Sequence, residues 1–141
     1  MSERDLARVV EEHHRSVDEF VKGNHEPLAR LYSARDDVTL GNPFGPFVRG
    51  AQPVLETMER AAALYREGEA TGFDLVATYV AADLASFVEV ERIRAKVGGR
   101  DDVSDIALRV TTVFRLEDGA WRLVHRHADP ITAPRPADSI L

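Results

Sequence analysis

The most informative part of the sequence is Trp121-Arg122-Leu123-Val124-His125-Arg126-His127-Ala128-Asp129, which follows the turn Glu117-Asp118-Gly119. An Asp-Gly pair is typical of a hairpin turn, so this stretch is predicted to be a β-strand. Strand residues alternate between the two faces of a sheet. One face is therefore predicted to carry Trp121, Leu123, His125, His127 and Asp129, and the other Arg122, Val124, Arg126 and Ala128. Because the first face is apolar at one end and bears proton-transfer groups at the other, we predict that it forms the wall of a pocket.

Further strands are predicted before this hairpin. Residues 73–80, 87–97 and 106–116 are rich in β-branched and aromatic side chains, and turn or loop residues separate them. The last of these strands places a regular apolar series on one face: Ile106, Leu108, Val110, Thr112, Phe114 and Leu116. The second half of the chain is therefore predicted to be a sheet of strands joined by hairpins.

The first half of the chain shows helical spacing instead. Apolar residues recur from Leu6 to Val21 in a pattern that predicts a long helix over roughly residues 3–22. A short second helix follows Asn24, and a third is predicted from Pro53 through Tyr65, closed by Gly68. Two very short strands, around residues 38–40 and 47–48, flank a loop that glycine and proline make rigid.

Helices followed by a run of strands form the α+β pattern, in which helices pack on one face of an antiparallel sheet. Long strands joined by hairpins are expected to curl around the first helix and to leave a cone with an opening. We predict a strongly curved antiparallel sheet packed on three helices, as one domain over residues 1–131. Residues 132–141 are predicted to form an extended tail, because their prolines cannot continue a central strand.

The composition excludes several classes of function. The 141 residues carry a net charge of −6, and acidic and basic residues are interspersed, so no basic stripe indicates nucleic-acid binding. The chain has no cysteine, which excludes disulfides, thiolate catalysis and cysteine-ligated zinc. No apolar run approaches the ~18 residues of a membrane span, and the N-terminus lacks the apolar core of a signal peptide. We therefore expect a cytoplasmic protein with neither a nucleic-acid nor a membrane partner.

The last two strands also carry a family resemblance. Residues 108–127 read LRVTTVFRLEDGAWRLVHRH, which is a strand with Arg and Thr, then Asp-Gly, Trp and His-x-His. This resembles SnoaL-like polyketide cyclases and the association domain of calcium/calmodulin-dependent kinases, in the nuclear transport factor 2-like superfamily, which also includes ketosteroid isomerases and scytalone dehydratase. The resemblance covers about residues 5–131 and implies the cystatin-like α+β cone. It implies no single function, because this fold serves enzymes, binding modules and oligomerisation domains alike.

The residues that carry activity in these relatives are only partly present. In ketosteroid isomerases the resemblance would require an aspartate base after the second helix, where this chain offers Asn42, and a Tyr/Asp pair deeper in the cone. SnoaL-type cyclases use an aspartate in the C-terminal sheet, for which Asp129 is the comparable residue. The kinase association domain has an arginine at the place of Thr112. The resemblance therefore implies a pocket but no named reaction.

His127 and Asp129 are the predicted catalytic pair. A histidine that is neutral near pH 7 can take or give a proton, and an adjacent carboxylate would orient it. His125 shares their face in the alternating pattern and is predicted to bind the ligand. The alternative is a structural pair, hydrogen-bonded to backbone or packed at a dimer interface. No third ligand for a metal site is evident beside the two histidines, so we predict no metal. We also predict no organic cofactor, because side chains alone can move protons at a carbon next to a carbonyl.

Glu89 and Glu91 alternate with valines on one strand, and their face is not settled by the sequence. If it is concave, two carboxylates enter the cavity, Glu89 joins the ligand site and one of the two serves as a base. If it is convex, both are solvated and Arg92 faces inward; solvent exposure is favoured for at least one of the two. A bulge would exchange the two faces of the strand, so the alternating pattern alone does not show whether Glu89 and Glu91 face the cavity or the solvent.

Four more residues are predicted to bind the ligand. Tyr32, Asn42, Phe44 and Phe47 would frame the opening, because a small-molecule site needs aromatic walls with a few polar groups. Alternatively, Tyr32 is a core residue and Asn42 serves the turn before Pro43.

Thr112 lies amid apolar residues and is predicted to be the single polar group deep in the cone, with an ordinary strand residue as the alternative. The remaining histidines, His13, His14 and His25, are interpreted as surface or satisfied residues.

Two functions fit these predictions. In the first, the cone binds a small, mostly apolar carbonyl compound and performs isomerase, cyclase or dehydratase chemistry with side chains alone. In the second, the chain is a non-catalytic homodimerisation or ligand-binding module. The outer face of the sheet would otherwise expose Val76, Val80, Val113 and Val124, so a second copy is expected to cover it. A homodimer is compatible with both functions.

Overall fold

The computed structural model describes residues 3–141 and, within that range, contains three α-helices and six β-strands. The helices are α1 (Glu3–Phe20), α2 (Glu26–Leu31) and α3 (Ala51–Ala62). The strands are β1 (Thr39–Gly41), β2 (Val48–Arg49), β3 (Tyr65–Val80), β4 (Leu84–Val97), β5 (Ser104–Glu117) and β6 (Ala120–Asp129). A 3-10 helix, Ala137–Ile140, lies within the tail that the sequence predicts to be extended. The α+β class and the order of elements are confirmed.

The six strands form one curved sheet in the order β2-β1-β6-β5-β4-β3. Its neighbouring strands pair antiparallel, except that β1 runs parallel to β6. Three register shifts interrupt the pairing of β3 with β4, and such bulges bend and twist a strand. The sheet therefore curls around α1, which lies against its concave face.

The core fills the space between α1 and this concave face. The buried stripe of α1 has helical spacing and consists of Leu6, Val9, His13, Ser16 and Val17, and the buried Val21 continues it just after the helix. Its largest fully buried partners come from α3 and the long strands, namely Met58, Ile93, Phe114 and Leu123. Burial of this one face of α1 holds the helix across the sheet.

A β-bulge interrupts β6 at Val124 and changes which residues face the core. Val113 pairs with His125 and Phe114 pairs with Leu123, so Val124 is an additional residue without its own partner. Because one extra residue exchanges the two faces of a strand, the predicted alternation is wrong beyond Leu123. Arg126 and Ala128 are buried, whereas the histidines and Asp129 are half-buried on the other face.

The third helix is shorter than predicted. It ends at Ala62, and Tyr65 opens β3 instead of closing the helix. Gly68 lies inside β3, where an added Cβ would overlap the carbonyl oxygen of Val21 at the end of α1. Gly68 is therefore required for close approach between strand and helix, and it does not stop a helix.

Candidate functional site

A buried ion pair lies on the concave face of the sheet. The guanidinium of Arg126 binds both carboxylate oxygens of Glu91, with Nη1–Oε2 2.6 Å and Nη2–Oε1 2.7 Å. Glu91 is 0% exposed and Arg126 is 8% exposed. Burial alone would lower the pKa of Arg126, but the Glu91 carboxylate outweighs this effect and holds the pKa above its ordinary value. A bidentate pair of this kind has fixed geometry, and its hydrogen bonds are charge-assisted.

His13 binds the same guanidinium from the other side. Its Nε2 lies 3.1 Å from Arg126 Nη1. Since a guanidinium can only donate, Nε2 must accept, and the neutral imidazole therefore carries its proton on Nδ1. Burial, followed by the charges of Arg126 and His14, lowers the pKa of His13 well below its ordinary value. His13 is thus a neutral group at physiological pH.

Glu89 lies two residues before Glu91 on β4, so its side chain also faces inward. It is 3% exposed, and His14 Nε2 donates to its Oε2 at 2.8 Å. The ring of His14 stacks on Phe73, with centroids 3.9 Å apart. Both glutamates therefore lie on the concave face, and the interpretation that at least one is solvated is wrong. Arg92 is on the opposite face, where it binds Asp74.

His13, His14 and Glu89 place one potential ligand atom each within 4.8 Å of one another. These residue types can hold a divalent cation. Here, however, the lone pair of His13 Nε2 accepts from Arg126, which brings a positive charge to 3.1 Å. The donor set is therefore better suited to hydrogen bonding and proton transfer than to holding a cation.

A cavity opens beside the Glu91–Arg126 pair. Its volume is about 40 Å³, which is close to that of one or two water molecules. Most of its wall is apolar and comes from all three helices and from β4, β5 and β6. The polar residues in its wall are Glu91, Arg126, Tyr65 and Asn42. Asn42, Pro43 and Phe44 close it on the side of the β1–β2 loop.

Tyr65 supplies a hydroxyl to this cavity. Within residues 3–141 no group forms a hydrogen bond with its Oη. Burial raises the pKa of Tyr65 to about 12, with Glu91 adding to the rise and Arg126 opposing it. The rings of Phe20 and Phe44 pack against the tyrosine, with centroids 6.0 and 5.8 Å away. Tyr65 therefore presents a neutral O–H donor beside a buried ion pair.

The outer face of the sheet carries a second polar group of residues. His127 Nε2 lies 3.2 Å from Asp129 Oδ2, and Arg109 binds the same carboxylate at 2.7 and 3.0 Å. His125 Nδ1 lies 2.7 Å from Thr39 Oγ1. Partial burial, then the neighbouring His127, lowers the pKa of His125. The predicted contact between His127 and Asp129 exists, but the sheet separates it from the cavity.

A family profile described as the SnoaL-like domain matches residues 12–133. The chain belongs to this family. Comparison with curated protein sequences finds no significant match for this SnoaL-like domain.

Solved structures confirm the fold. A candidate dehydratase of the NTF2-like family from Streptomyces avermitilis has 21% identity and a TM-score of 0.73, covering 92% of this chain and 96% of its own. A ketosteroid isomerase-like protein from Erwinia carotovora atroseptica has 14% identity and a TM-score of 0.74, covering 92% and 96%. A candidate calcium/calmodulin-dependent protein kinase II association domain from Xanthomonas campestris has 17% identity and a TM-score of 0.69, covering 95% and 91%. Other matched structures are described as having a cystatin-like fold. Likeness at these identities establishes the fold alone.

The predicted site residues of the SnoaL-like domain divide between the two faces of the sheet. Those on the inner face or at the cavity mouth are Tyr32, Asn42, Phe44, Glu89 and Thr112, and those on the outer face are Phe47, His125, His127 and Asp129. The prediction that all of them share one pocket is therefore wrong. The physical reason is the bulge in β6 together with the path of the β1–β2 loop around the sheet edge.

Within the inner group, only Asn42 and Phe44 line the cavity. Asn42 also serves its turn, because its Oδ1 accepts from the backbone N–H of Phe44 at 2.9 Å. Tyr32 is buried and donates to the carbonyl of Thr39 at 3.0 Å. Thr112 is 1% exposed, and its Oγ1 has no hydrogen-bond partner within residues 3–141. It is not the single polar group in the cone, which also holds the charged network described above.

Sequence reasoning missed three members of the inner site. His13 carried a usable signal, because it lies four residues from both Val9 and Val17 on the apolar stripe of α1. Arg126 carried none, because only the bulge brings it inward. Tyr65 was predicted to belong to the third helix, whereas it is the first residue of β3.

Proposed function

We propose that the cone cavity binds a small, mostly apolar molecule with one hydrogen-bond-accepting group, and that it performs cofactor-free acid/base chemistry at a carbon beside a carbonyl. Isomerisation, cyclisation and dehydration are reactions of this class. The observation that carries the proposal is an apolar cavity in which the Tyr65 hydroxyl lies free beside the buried Glu91–Arg126 pair. Such a combination of apolar walls and a few polar groups is typical of small-molecule sites.

Each polar group has a distinct role in this proposal. Tyr65 donates a hydrogen bond to the carbonyl oxygen, and the positive charge of Arg126 stabilises the negative charge that develops there. Glu91 accepts the proton from carbon and returns it to another position. Both Glu91 oxygens accept from Arg126, so proton transfer requires one of these two bonds to open. His13 holds the guanidinium in place when that happens.

The site must widen before it binds a ligand, because about 40 Å³ holds only water. Phe44 is the side chain that yields most readily. It is 46% exposed, and its ring packs on Tyr65. A ligand ring that replaces Phe44 would lie against Tyr65 and beside the ion pair.

Hydrogen–deuterium exchange tests the chemistry without knowledge of the natural substrate. Cyclic ketones are incubated with the protein in D₂O, and protein-dependent loss of the proton beside the carbonyl is followed by NMR. We expect Glu91→Gln and Tyr65→Phe each to slow the exchange at least tenfold, and His127→Ala to leave it unchanged. Thermal unfolding of each variant separates loss of activity from loss of fold.

Two outcomes would overturn the proposal. One is exchange that persists in folded Glu91→Gln and Tyr65→Phe. The other is loss of exchange in folded His127→Ala, which would show that the catalytic residues lie on the outer face.

A homodimerisation module is the second candidate function, and an exposed apolar surface favours it. Leu75, Val76, Tyr79 and Val80 are each 59–66% exposed around the end of the β3–β4 hairpin. Monomeric proteins rarely expose large contiguous apolar patches, so a second copy would cover this one. Val124 does not contribute as predicted, because the bulge buries it.

Sedimentation equilibrium tests the dimer. We expect the wild-type chain to sediment as a dimer and Val80→Glu to sediment as a folded monomer. Glu69→Gln on the same strand is the matched control and should stay dimeric. A monomeric wild-type chain at micromolar concentration would contradict this function.

A further inference from the structure

A second and larger cavity lies outside the cone. It is a groove of about 570 Å³ between α1, α2 and the β5–β6 hairpin, and it shares no lining residue with the cone cavity. This volume lies within the range of small-molecule sites, roughly 300–1,000 Å³. The proposed acid/base function does not use it.

Arginines surround the groove in a protein that is acidic overall. The four are Arg8, Arg15, Arg30 and Arg122, whereas the net charge of the chain is −6. Across the described residues, Arg15 and Arg122 have no carboxylate within ion-pair distance. Arg122 reaches only the backbone carbonyl of Arg30, at 3.5 Å. Two guanidinium groups are therefore available to an anion.

The carboxylates of the groove all lie on one wall, α1, which also carries Arg8 and Arg15. The acidic lining residues are Asp5, Glu12 and Glu19, and all of them belong to α1. The opposite wall, from α2 and β6, contributes Arg30 and Arg122 and no carboxylate. A ligand with several negative charges would meet the acidic wall, whereas a ligand with one carboxylate can turn it towards the arginines. The arrangement therefore favours a single anionic group at one end of the ligand.

The floor of the groove is apolar and contains an unpaired donor. Val9, Leu31 and Trp121 are buried beneath the charged rim. Trp121 is 8% exposed, and within residues 3–141 its indole Nε1 has no hydrogen-bond partner. An N–H buried without an acceptor is unfavourable, and most such groups in proteins find a partner. This observation is independent of the arginines, and a ligand oxygen that reached the indole would supply the missing acceptor.

We propose that this groove binds a small organic acid with a flat apolar body and one carboxylate. The body packs on Trp121 and Leu31, and the carboxylate binds Arg122 with support from Arg30. Arginine suits this task because its planar fork binds both oxygens of a carboxylate. An oxygen of the ligand accepts from the indole N–H when the floor adjusts to it.

The chain has a single tryptophan, so its indole N–H gives one resolved signal in a ¹H–¹⁵N correlation spectrum. Naphthalene-2-carboxylate is titrated against the protein, and 2-naphthalenemethanol serves as the matched neutral probe. We expect the acid to shift the Trp121 indole signal saturably at sub-millimolar concentration and the alcohol to bind at least tenfold more weakly. No shift with the acid, or equal shifts with both probes, would overturn the proposal.

Variants then locate the binding. Arg122→Gln is expected to raise the Kd for the acid at least fivefold and Arg30→Gln at least twofold. Arg94→Gln, on the outer face beside Asp105, is the matched control and should leave the Kd unchanged. Tyr65→Phe in the cone should also leave it unchanged, which separates this site from the proposed acid/base site. Equal effects of Arg122→Gln and Arg94→Gln would show a non-specific charge effect and overturn the proposal.

Discussion

The two faces of the sheet carry similar residue types in opposite physical settings. On the concave face, Glu91 and Arg126 form a pair that is almost fully buried. On the outer face, Arg109 and Asp129 form a pair in which one nitrogen, Nε, binds both carboxylate oxygens, and the arginine side chain is 56% exposed. Buried charges depend strongly on their partners, whereas exposed pairs contribute little to stability. The comparison shows that burial, more than the identity of the groups, decides what each pair does.

The largest difference between the two faces is expected when each arginine is removed. Arg126→Met leaves Glu91 buried without a partner and should lower the free energy of unfolding by about 3–5 kcal/mol. Arg109→Met is its control on the outer face and should cost less than about 1 kcal/mol. Urea unfolding measures both. The double variant Arg126→Met/Glu91→Leu should regain most of the lost free energy of unfolding. Equal losses for Arg126→Met and Arg109→Met would contradict the difference between the two faces.

Protonation of the histidines should give a smaller difference. Because the pKa of His13 is well below its ordinary value in the folded protein, the unfolded chain binds a proton there that the folded chain does not. The free energy of unfolding therefore falls as the pH is lowered through about 6.5, by up to about 1.4 kcal/mol per pH unit. His13→Gln should remove this slope between pH 7 and 5. His125→Gln should remove less of the pH dependence of the free energy of unfolding, since the ring of His125 is only half-buried. An equal change in the two variants would contradict the difference between the buried and the half-buried histidine.

The smallest difference is expected at two adjacent threonines on β5. Thr112 faces the core with an unpaired hydroxyl, and Thr111 faces outward. Thr112→Val removes a buried polar group without a partner and should raise the free energy of unfolding by about 1 kcal/mol. Thr111→Val should change it by less than about 0.5 kcal/mol. Thermal unfolding measures both, and a destabilised Thr112→Val protein would indicate a hydrogen bond at that hydroxyl.

Sequence patterns sufficed for the elements of the fold because those patterns are local. The apolar spacing of α1, the short α2 and the Asp118-Gly119 turn each follow from a few neighbouring residues. The pairing of β1 parallel to β6 joins segments far apart in the chain, and no local pattern predicts it. The end of α3 was also missed, because Tyr65 continues a helical spacing while starting a strand.

The candidate site was less predictable than the fold, and Val124 is the reason. A single bulged residue reverses the direction of every later side chain on β6. It placed His127 and Asp129 outside the cone and brought Arg126 inside. Bulges depend on how two strands fit together in three dimensions, so neither strand's sequence alone indicates this one.

The Glu91–Arg126 pair also has a consequence for the synthesis of the chain. Arg126 lies 35 residues after Glu91 and 113 residues after His13. While the ribosome extends the chain, α1 and β4 emerge long before the arginine that neutralises Glu91 between them. Closing such a long loop is slow, and a carboxylate without its counter-charge opposes early collapse. Folding of the cone should therefore await the last strand, and nascent chains that end before residue 126 should remain sensitive to proteases.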